Sequence, residues 1–416
     1  MSAAFLSTAE KPAVLAIFIL TYLGISAGRV PGLKLDRTGI VLLGAIAVLV
    51  VERLPGTEMA GFISWPTILL LFGFFVISAQ LRLSGFFDLV AGRIAGQLAH
   101  PARFLLLLMA TTAGLSAFLN HDIVCFVFAP IVGAALLQRQ LDPVPFLVAL
   151  AIASNIGAAA TLVGNPQDMM IGQIAGLGFG EYVLWCIWPV AFALGAAYAV
   201  IWLLSRKSLA LTTKLRPRAV PPPRRFDRGH TIKGLVILGI VIGLFFSPLP
   251  KELVALTAAA IHLASRKFRT VDLLRLVDWP ILVLFMGLFV VTGAFQATGY
   301  GQQAVQWLAH EGLNLSSPPV LALFTAGLSN IVSNAAAVML LLKTANVAHP
   351  PAAYVLALAN SFGGSLIIVG SVANIIVVQQ ARALGIDISF RAFARLGIPV
   401  TIVSLGGLIC WLAVAP

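Results

Sequence analysis

Long apolar segments separated by short polar turns make up most of the chain. The apolar runs lie at about 13–28, 39–51, 66–81, 104–119, 123–138, 144–176, 182–205, 231–247, 252–265, 280–298, 318–331, 334–347, 351–380 and 393–414. A helix needs about 20 apolar residues to cross a bilayer. The pattern therefore predicts an all-α polytopic membrane protein, with room for roughly ten to twelve spans.

Composition narrows the class further. Of the 416 residues, 60% are hydrophobic and only 10% are charged, whereas soluble domains carry about 25% charged residues. This excludes a soluble enzyme. The net charge of +12 would indicate nucleic acid in a soluble protein, but in a membrane protein it first marks orientation. We therefore expect a lipid bilayer and no nucleic acid as partner. The three cysteines lie in separate apolar segments without metal-ligand spacing.

One long polar stretch divides the chain. Residues 206–230 contain eight Lys or Arg and four prolines, a composition typical of an exposed linker. The sequence thus predicts a first half at 1–205, a basic, Pro-rich cytoplasmic linker at 206–230, and a second half at 231–416.

The two halves share a weak internal repeat. The segment 153–164 matches 359–370, with Gly157 on Gly363 and Gly164 on Gly370. Upstream, the Gly-Leu-Ser at 114–116 matches the one at 327–329, and downstream Asp168 aligns with Asn374. Two collinear matches predict an internal duplication.

The positive charges predict the topology. Segments 104–138 and 318–347 are taken as helical hairpins that enter and leave on one side, and ten other segments as spans, starting outside. This arrangement puts 23 Lys and Arg inside and four outside, as the positive-inside rule requires. The charges do not distinguish re-entrant hairpins from pairs of full spans. The halves are then inverted five-span repeats in a cell inner membrane, with both termini outside. Transporters built this way bind their solute where broken helices meet.

A polar segment interrupts the apolar run at 144–176. It contains Ser154, Asn155, Gly157, Thr161, Gly164, Asn165, Pro166 and Asp168. Pro166 lacks an amide hydrogen and disfavours helix at Asn165, which predicts a broken helix. Unwound backbone at membrane depth requires surrounding protein or a polar cavity, so these residues are candidates for binding an ion or polar solute. The alternative is a kinked helix whose amides are satisfied by its neighbours.

Asn120, His121 and Asp122 interrupt the hairpin 104–138. A carboxylate at this depth costs a few kcal/mol unless it is paired, hydrated or protonated. Asp122 is therefore the first candidate for a proton or cation site, although Asp is also a favoured helix N-cap. Asp168 is the second candidate. His121 is the third, because imidazole titrates near neutrality; a structural hydrogen-bonding role is its alternative.

The second half offers neutral counterparts, in the hairpin 318–347 and the predicted broken helix 351–380. They are Ser329, Asn330, Ser333, Asn334, Asn360, Ser361, Gly363, Gly364 and Asn374. Carboxylates lie only in the first copy, which favours one coupling region that uses H⁺ or Na⁺ and no other cofactor. Along the chain no Arg or Lys lies near either break, which favours a neutral or weakly charged solute.

At these residues the sequence resembles the arsenite-permease branch of the ion transporter superfamily, which includes arsenite- and silicon-efflux carriers. The matching pieces are the Ser-Asn-Ile-Gly at 154–157, the Gly-Asn-Pro-Gln at 164–167, Asn120-x-Asp122, Ser329-Asn330 with Asn334, and the Ser-Val-Ala-Asn at 371–374. The resemblance implies scaffold and transport domains, re-entrant hairpins, a homodimer and elevator-type movement.

Two departures from the family pattern bear on the solute. Asp168 stands where relatives commonly carry Asn, and neither hairpin tip has the Ser-Asn-Thr of dicarboxylate symporters. We expect proton-coupled secondary transport of a small inorganic solute such as arsenite or silicic acid. The alternatives are a sodium/proton antiporter and a sodium-coupled carboxylate or anion symporter. An enzyme is disfavoured, because the sequence shows no nucleophile–base pair or metal set.

Overall fold

The computed structural model describes residues 11–28, 34–53, 56–98, 100–206, 224–345, 347 and 350–414. Twenty α-helices cover most of these residues, and the all-α prediction is confirmed. The first half contains α1 Lys11–Ala27, α2 Arg37–Glu52, α3 Gly56–Phe62, α4 Trp65–Leu83, α5 Phe86–Ala95, α6 Pro101–Phe118, α7 His121–Gln138, α8 Val144–Ala158, α9 Pro166–Ile174 and α10 Phe179–Ser205. The second half contains α11 Arg228–Leu244, α12 Lys251–Leu263, α13 Thr270–Leu274, α14 Trp279–Thr298, α15 Tyr300–His310, α16 Pro318–Val332, α17 Asn334–Thr344, α18 Pro350–Gly363, α19 Val372–Ala383 and α20 Phe390–Leu412.

Six helices in the described ranges are long and apolar enough to cross a membrane: α4, α6, α7, α10, α14 and α20. This makes the chain a multi-pass membrane protein. Four of these six, α4, α10, α14 and α20, belong to the ten expected spans, whereas α6 and α7 are the arms of the first expected hairpin and are each 18 residues long. Four other expected spans, α1, α2, α11 and α12, are 13 to 17 residues long. The remaining two are interrupted, the first between α8 and α9 and the second between α18 and α19. The short helices α3, α5, α13 and α15 were not predicted, because they lie in the polar stretches between apolar runs.

The halves pack against each other in matching pairs. Helix α2 packs on α14 and α4 packs on α12. A Cβ atom at Gly73 of α4 would lie 2.8 Å from the carbonyl carbon of Ala255, and one at Gly287 of α14 would lie 2.7 Å from the Val41 side chain. Gly287 follows Gly73 by 214 positions, and Ala255 follows Val41 by the same 214 positions. The same type of close contact is therefore made twice, with the halves exchanged.

Helices α8 and α18 form the centre of the molecule. Residues 145–158 of α8 and 353–363 of α18 are all buried, as expected for helices that are apolar on every side. Each packs against the first arm of the hairpin in its own half, α8 on α6 and α18 on α16. Helices α10 and α20 pack together behind them. The hairpin tips therefore meet the interrupted helices in the protein interior.

Most of the predicted linker, residues 207–223, lies outside the described residues, as do the termini at 1–10 and 415–416. The end of the linker is ordered against the first half. Asp227 caps α11 by accepting from the His230 amide at 3.1 Å, and its own amide donates to the Ser84 carbonyl at 2.8 Å. An ion pair with Lys267, together with the His230 amide, holds the pKa of Asp227 well below its usual range.

Candidate functional site

Both interrupted helices pass through one buried hydrogen-bond network. Asn155, near the end of α8, donates through Nδ2 to Asn374 Oδ1 at 2.8 Å. The Ser371 hydroxyl, at the N-cap of α19, donates to Asn155 Oδ1 at 2.8 Å. The end of α8, in the first interrupted helix, is therefore hydrogen-bonded to the start of α19, the second segment of the other interrupted helix.

The reciprocal contact involves the matching positions. Asn165 caps α9 by accepting from the Asp168 amide at 2.7 Å. Its Nδ2 donates to Asp168 Oδ2 at 2.6 Å and to the Ser361 hydroxyl at 3.3 Å. Ser361 occupies the repeat position of Asn155. Each interrupted helix thus contacts the N-terminus of the other's second segment.

Asp168 lies entirely inside this network. It is 0% exposed, and its Oδ1 has no hydrogen-bond partner. At the matching position Asn374 donates to the Gly364 carbonyl at 2.7 Å and to the Ile367 carbonyl at 3.0 Å. An ionised Asp side chain only accepts hydrogen bonds, so Asp168 cannot donate to carbonyl groups as Asn374 does unless it is protonated. Asp168 lines neither of the two cavities beside the hairpin tips.

Residues 159–165 pack directly under the first hairpin. The Thr161 hydroxyl donates to the Ala117 carbonyl. A Cβ atom at Gly164 would lie 2.1 Å from the Ala158 carbonyl oxygen, so this position requires glycine. The Gly164 carbonyl accepts from the His121 amide at 3.4 Å. The interruption is therefore a compact turn that contacts the hairpin tip, and α9 restarts at Pro166.

The first hairpin tip presents Asp122 without using it as a cap. Asn120 is the N-cap of α7, and its Oδ1 accepts from the Asp122 amide at 2.8 Å. The alternative that Asp122 is the N-cap was wrong, because Asn120 caps α7 and Asp122 lies in the first turn of that helix. His121 Nε2 lies 3.5 Å from Asp122 Oδ1, and the Ser154 hydroxyl donates to the His121 carbonyl at 3.3 Å.

The second hairpin turns at Ser333, whose φ of 108° places it in the left-handed region. Asn330 Nδ2 donates to the Ala326 and Gly363 carbonyls, at 2.8 Å each. Ser329 also donates to the Ala326 carbonyl, at 3.0 Å. The Oδ1 atoms of Asn330, Asn334 and Asn360 have no hydrogen-bond partner. A Cβ atom at Gly364 would lie 2.9 Å from Asn334 Nδ2.

A cavity of about 50 Å³ lies where both hairpin tips meet the starts of α9 and α19. It is lined by Arg37, His121, Asp122, Pro166, Gln167, Ile281, Leu284, Phe285, Ser333, Asn334, Ala335, Gly370, Ser371 and Val372. Of the predicted site residues, His121, Asp122, Pro166, Ser333 and Asn334 reach this cavity. The others form the network and packing around it. Four helix N-termini (α7, α9, α17 and α19) contribute residues to its wall, and helix N-termini carry partial positive charge.

Arg37 corrects one inference from the sequence. No basic residue lies near either break along the chain, yet Arg37 at the start of α2 lines the cavity. It arrives there because α2 packs on α14, whose first turns also contribute to the wall. Sequence reasoning counted Arg37 only as a topological charge. The absence of nearby basic residues therefore no longer argues for a neutral solute.

A second cavity, of about 220 Å³, opens on the other side of Asp122. Its charged residues are Arg82, Asp122, Arg275 and Asp278, and the Arg82 guanidinium lies 4.4 Å from the centre of the Phe126 ring. Asp278 caps α14 by accepting from the Ile281 amide at 3.2 Å. Burial and the nearby Asp122 carboxylate raise the pKa of Asp278 to about 6. Asp122 is shared by the two cavities, and sequence reasoning missed the other three charges.

Comparison with known proteins identifies relatives over nearly the full length. The chain is 31% identical over 424 residues to a 46 kDa membrane protein of Mycobacterium leprae, covering 96% of this chain and 97% of the relative. It is 27% identical over 447 residues to the silicon efflux transporter LSI3 of Oryza sativa, covering 90% and 92% of the two chains. Several of these relatives are named as transporters, which places the chain among transporters.

Among solved structures, the fold is similar to that of the YdaH transporter of Alcanivorax borkumensis. The TM-score is 0.63 at 14% identity, covering 97% of this chain and 98% of that one. The MtrF structure of Neisseria gonorrhoeae gives a TM-score of 0.57 at 12% identity, with coverage of 98% and 94%. The sequence profile of the family described as "Citrate transporter" matches residues 14–354. The chain is a membrane transporter that belongs to this citrate transporter (CitMHS) family, within the superfamily that its motifs resemble.

Proposed function

We propose that this transporter moves a small inorganic solute (arsenite, silicic acid or a similar oxyanion or hydroxide) by secondary active transport coupled to protons. The observation that carries the proposal is the cavity between the two hairpin tips. Its volume of about 50 Å³ accommodates a few water molecules at roughly 10–15 Å³ each. A solute of four or five heavy atoms fits this space. The silicon efflux relative supports the same class of solute.

Asp122 is the coupling carboxylate in this proposal. It is 5% exposed, has one oxygen without a hydrogen-bond partner, and lines both cavities. A proton or cation that enters either cavity therefore reaches it. Asp168 is enclosed by Asn165 and the surrounding backbone, and we assign it a structural role in holding the two interrupted helices together.

The movement that we propose is of the elevator type, in inverted repeats. The matched packing of α2 on α14 and of α4 on α12 supports a scaffold made of these helices. The hairpins and interrupted helices form the transport domain. A homodimer in the cell inner membrane, with both termini outside, completes the proposal; these features rest on the resemblance and on the distribution of positive charge.

The second candidate is sodium-coupled carboxylate or anion symport. Two observations favour it: the family description names citrate, and Arg37 places a guanidinium in the cavity. A sodium/proton antiporter is the third candidate, with Asp122 as the exchanging group.

Everted membrane vesicles separate the three candidates. Vesicles from cells that express the protein are given a proton gradient, and accumulation of arsenite or silicic acid is measured with and without sodium. We expect accumulation that collapses with the proton gradient and does not require sodium. Asp142→Asn is the matched control, because Asp142 lies in the α7–α8 turn away from both cavities. Sodium-driven proton movement without metalloid would contradict the proposal in favour of the antiporter, and sodium-dependent citrate uptake would favour the symporter.

A further inference from the structure

A basic pocket of about 870 Å³ lies where the end of the linker meets the first turn of α11, and it shares no residue with either cavity beside Asp122. Its charged residues are Arg224, Arg225, Asp227, Arg228 and Lys267. The one carboxylate, on Asp227, is already paired with Lys267 and with the His230 imidazole. The Arg225 and Arg228 guanidinium groups make no hydrogen bond or ion pair with any residue that the structure describes. The pocket therefore has unpaired positive charge for an anion.

The backbone that carries these charges is fixed against the turn between α4 and α5. The Arg224 amide donates to Asp88 Oδ1 at 3.3 Å. A Cβ atom at Gly85, whose φ is 74°, would lie 2.9 Å from the Arg225 carbonyl oxygen. The next residue, Phe226, is nevertheless 43% exposed. Exposed aromatic residues among basic ones are typical of segments that lie at the polar surface of a bilayer.

An apolar groove of about 380 Å³ runs between α11 and α12, which pack against each other. Ten of its eleven lining residues are apolar, and the hydroxyl of the eleventh, Thr257, donates to the Leu253 carbonyl at 2.8 Å. The wall on α11 runs from Ile237 to Leu244, about 10 Å at 1.5 Å per residue. One leaflet of a bilayer contributes about half of its hydrocarbon thickness of about 30 Å. The groove therefore has the chemistry and the scale to hold a lipid acyl chain.

Lys233 links the basic pocket to the groove. It lies one turn after Gly229, which lines the pocket, and one turn before Ile237, which lines the groove. Residues four apart are neighbours on the surface of a helix. Lys233 Nζ donates to the carbonyl of Ile261, another groove residue, at 3.2 Å. Because an ammonium group has three N–H donors, Lys233 retains donors for a ligand at the point where the apolar wall ends.

The two features together match an amphipathic ligand with an anionic head. The positive charges predict that this end of α11 and α12 is cytoplasmic, and basic clusters beside membrane helices on that side bind anionic lipid headgroups. We propose that the basic pocket and the groove form one binding site for an anionic phospholipid. Arg225, Arg228 and Lys233 bind its phosphate, and one acyl chain lies in the groove. The site is independent of the transported solute, and its test requires no transport.

Lipid binding to the purified full-length protein tests the charged part of the site. The protein in a neutral detergent is mixed with phosphatidylglycerol or with zwitterionic phosphatidylcholine, and the bound lipid is measured by native mass spectrometry. We expect the wild type to retain phosphatidylglycerol preferentially. Arg225→Gln combined with Arg228→Gln should weaken this binding roughly thirtyfold, at about fivefold for each charge. The matched control is Arg391→Gln combined with Arg395→Gln, two exposed positions of α20 outside the pocket and the groove.

A second pair of variants tests the groove. Ile240 and Val236 of α11 are 55% and 54% exposed, but only Ile240 lines the groove. Ile240→Trp should fill part of the groove and retain less phosphatidylglycerol than Val236→Trp. Thermal unfolding shows whether each variant is folded, and phosphatidylglycerol should raise the melting temperature of the wild type because it binds the folded state.

Four results would overturn the inference. The first is equal retention of the two lipids by the wild type, and the second is equal retention of phosphatidylglycerol by the Arg225/Arg228 variant and its control. The third is a rise in melting temperature with inorganic phosphate as large as that with phosphatidylglycerol, which would identify a soluble anion as the ligand. The fourth is a change in oligomeric mass in Ile240→Trp with lipid retention unchanged, which would assign the groove to a second copy of the chain.

Discussion

Replacing Gly157 by alanine should separate the first hairpin from the interrupted helix behind it. A Cβ atom at this position would lie 2.3 Å from the Ala113 Cα atom and 2.6 Å from the Ala113 carbonyl oxygen. Non-bonded carbon atoms are at their optimal separation at about 3.5–4.0 Å. Helix α8 is buried on all sides, so α6 and α8 cannot move apart freely.

The expected cost follows from this overlap. Overpacking a well-packed core costs about 1–3 kcal/mol, and here the colliding atoms are backbone. Gly114, one residue from Ala113 on α6, provides the matched control because nothing lies within 4 Å of its Cβ position. Gly114→Ala should be neutral or stabilise by up to about 1 kcal/mol through helix propensity. The two variants should therefore differ in unfolding free energy by about 1–4 kcal/mol.

The second half provides the same pair at matching positions. A Cβ atom at Gly363 would lie 2.7 Å from the Ala326 Cα atom, while Gly327 has open space. Thermal unfolding of the four purified variants in detergent, with solute flux in vesicles, measures the effect. We expect Gly157→Ala and Gly363→Ala to melt earlier and to transport less than their controls. Equal melting temperatures for Gly157→Ala and Gly114→Ala would refute the close packing of the hairpin on α8.

Four further substitutions test the site. Asp278→Asn should stabilise the protein by about 1 kcal/mol above about pH 6. The pKa of Asp278 is raised in the folded state, so the ionised carboxyl destabilises the fold above about pH 6, and this penalty is absent below about pH 4. Melting curves measured across this pH range would contradict the prediction if the variant gained no stability at neutral pH. Asn165→Ala removes the α9 cap and the contact with Ser361 and should lower the unfolding free energy by about 2 kcal/mol. Pro166→Ala, at the first helical position, should change it by less than about 1 kcal/mol. Equal losses in the two variants would contradict the cap as the cause of the break. Asp168→Asn should keep both stability and proton-driven flux, since Asn occupies the matching position 374. Loss of proton coupling in a folded Asp168→Asn variant would show that Asp168 takes part in transport.

Much of the architecture follows from local chemistry in the sequence. The continuous apolar runs predict helices, and α9 begins at Pro166 because the ring removes an amide that a helix start does not need. Gly363, at the end of α18, packs so closely against Ala326 that a larger residue does not fit there.

The parts that the sequence did not predict depend on packing between distant segments. Arg37 reaches the cavity because α2 packs on α14, and no local pattern around residue 37 indicates that contact. Asp278 and Arg82 likewise converge on Asp122 from helix ends far apart in the chain. The helices α5 and α15 escaped prediction because they are short and partly polar, unlike the spans around them.

Proton-driven flux through reconstituted Asp122→Asn and Asp168→Asn tests the central claim most directly. Proteoliposomes with a fixed amount of each protein receive a proton gradient without sodium, and accumulation of silicic acid or arsenite is followed. We predict accumulation by the wild type and by Asp168→Asn, and only equilibration by Asp122→Asn. Gradient-driven accumulation by Asp122→Asn, or a wild type that ignores the proton gradient and requires sodium, would contradict proton coupling through Asp122.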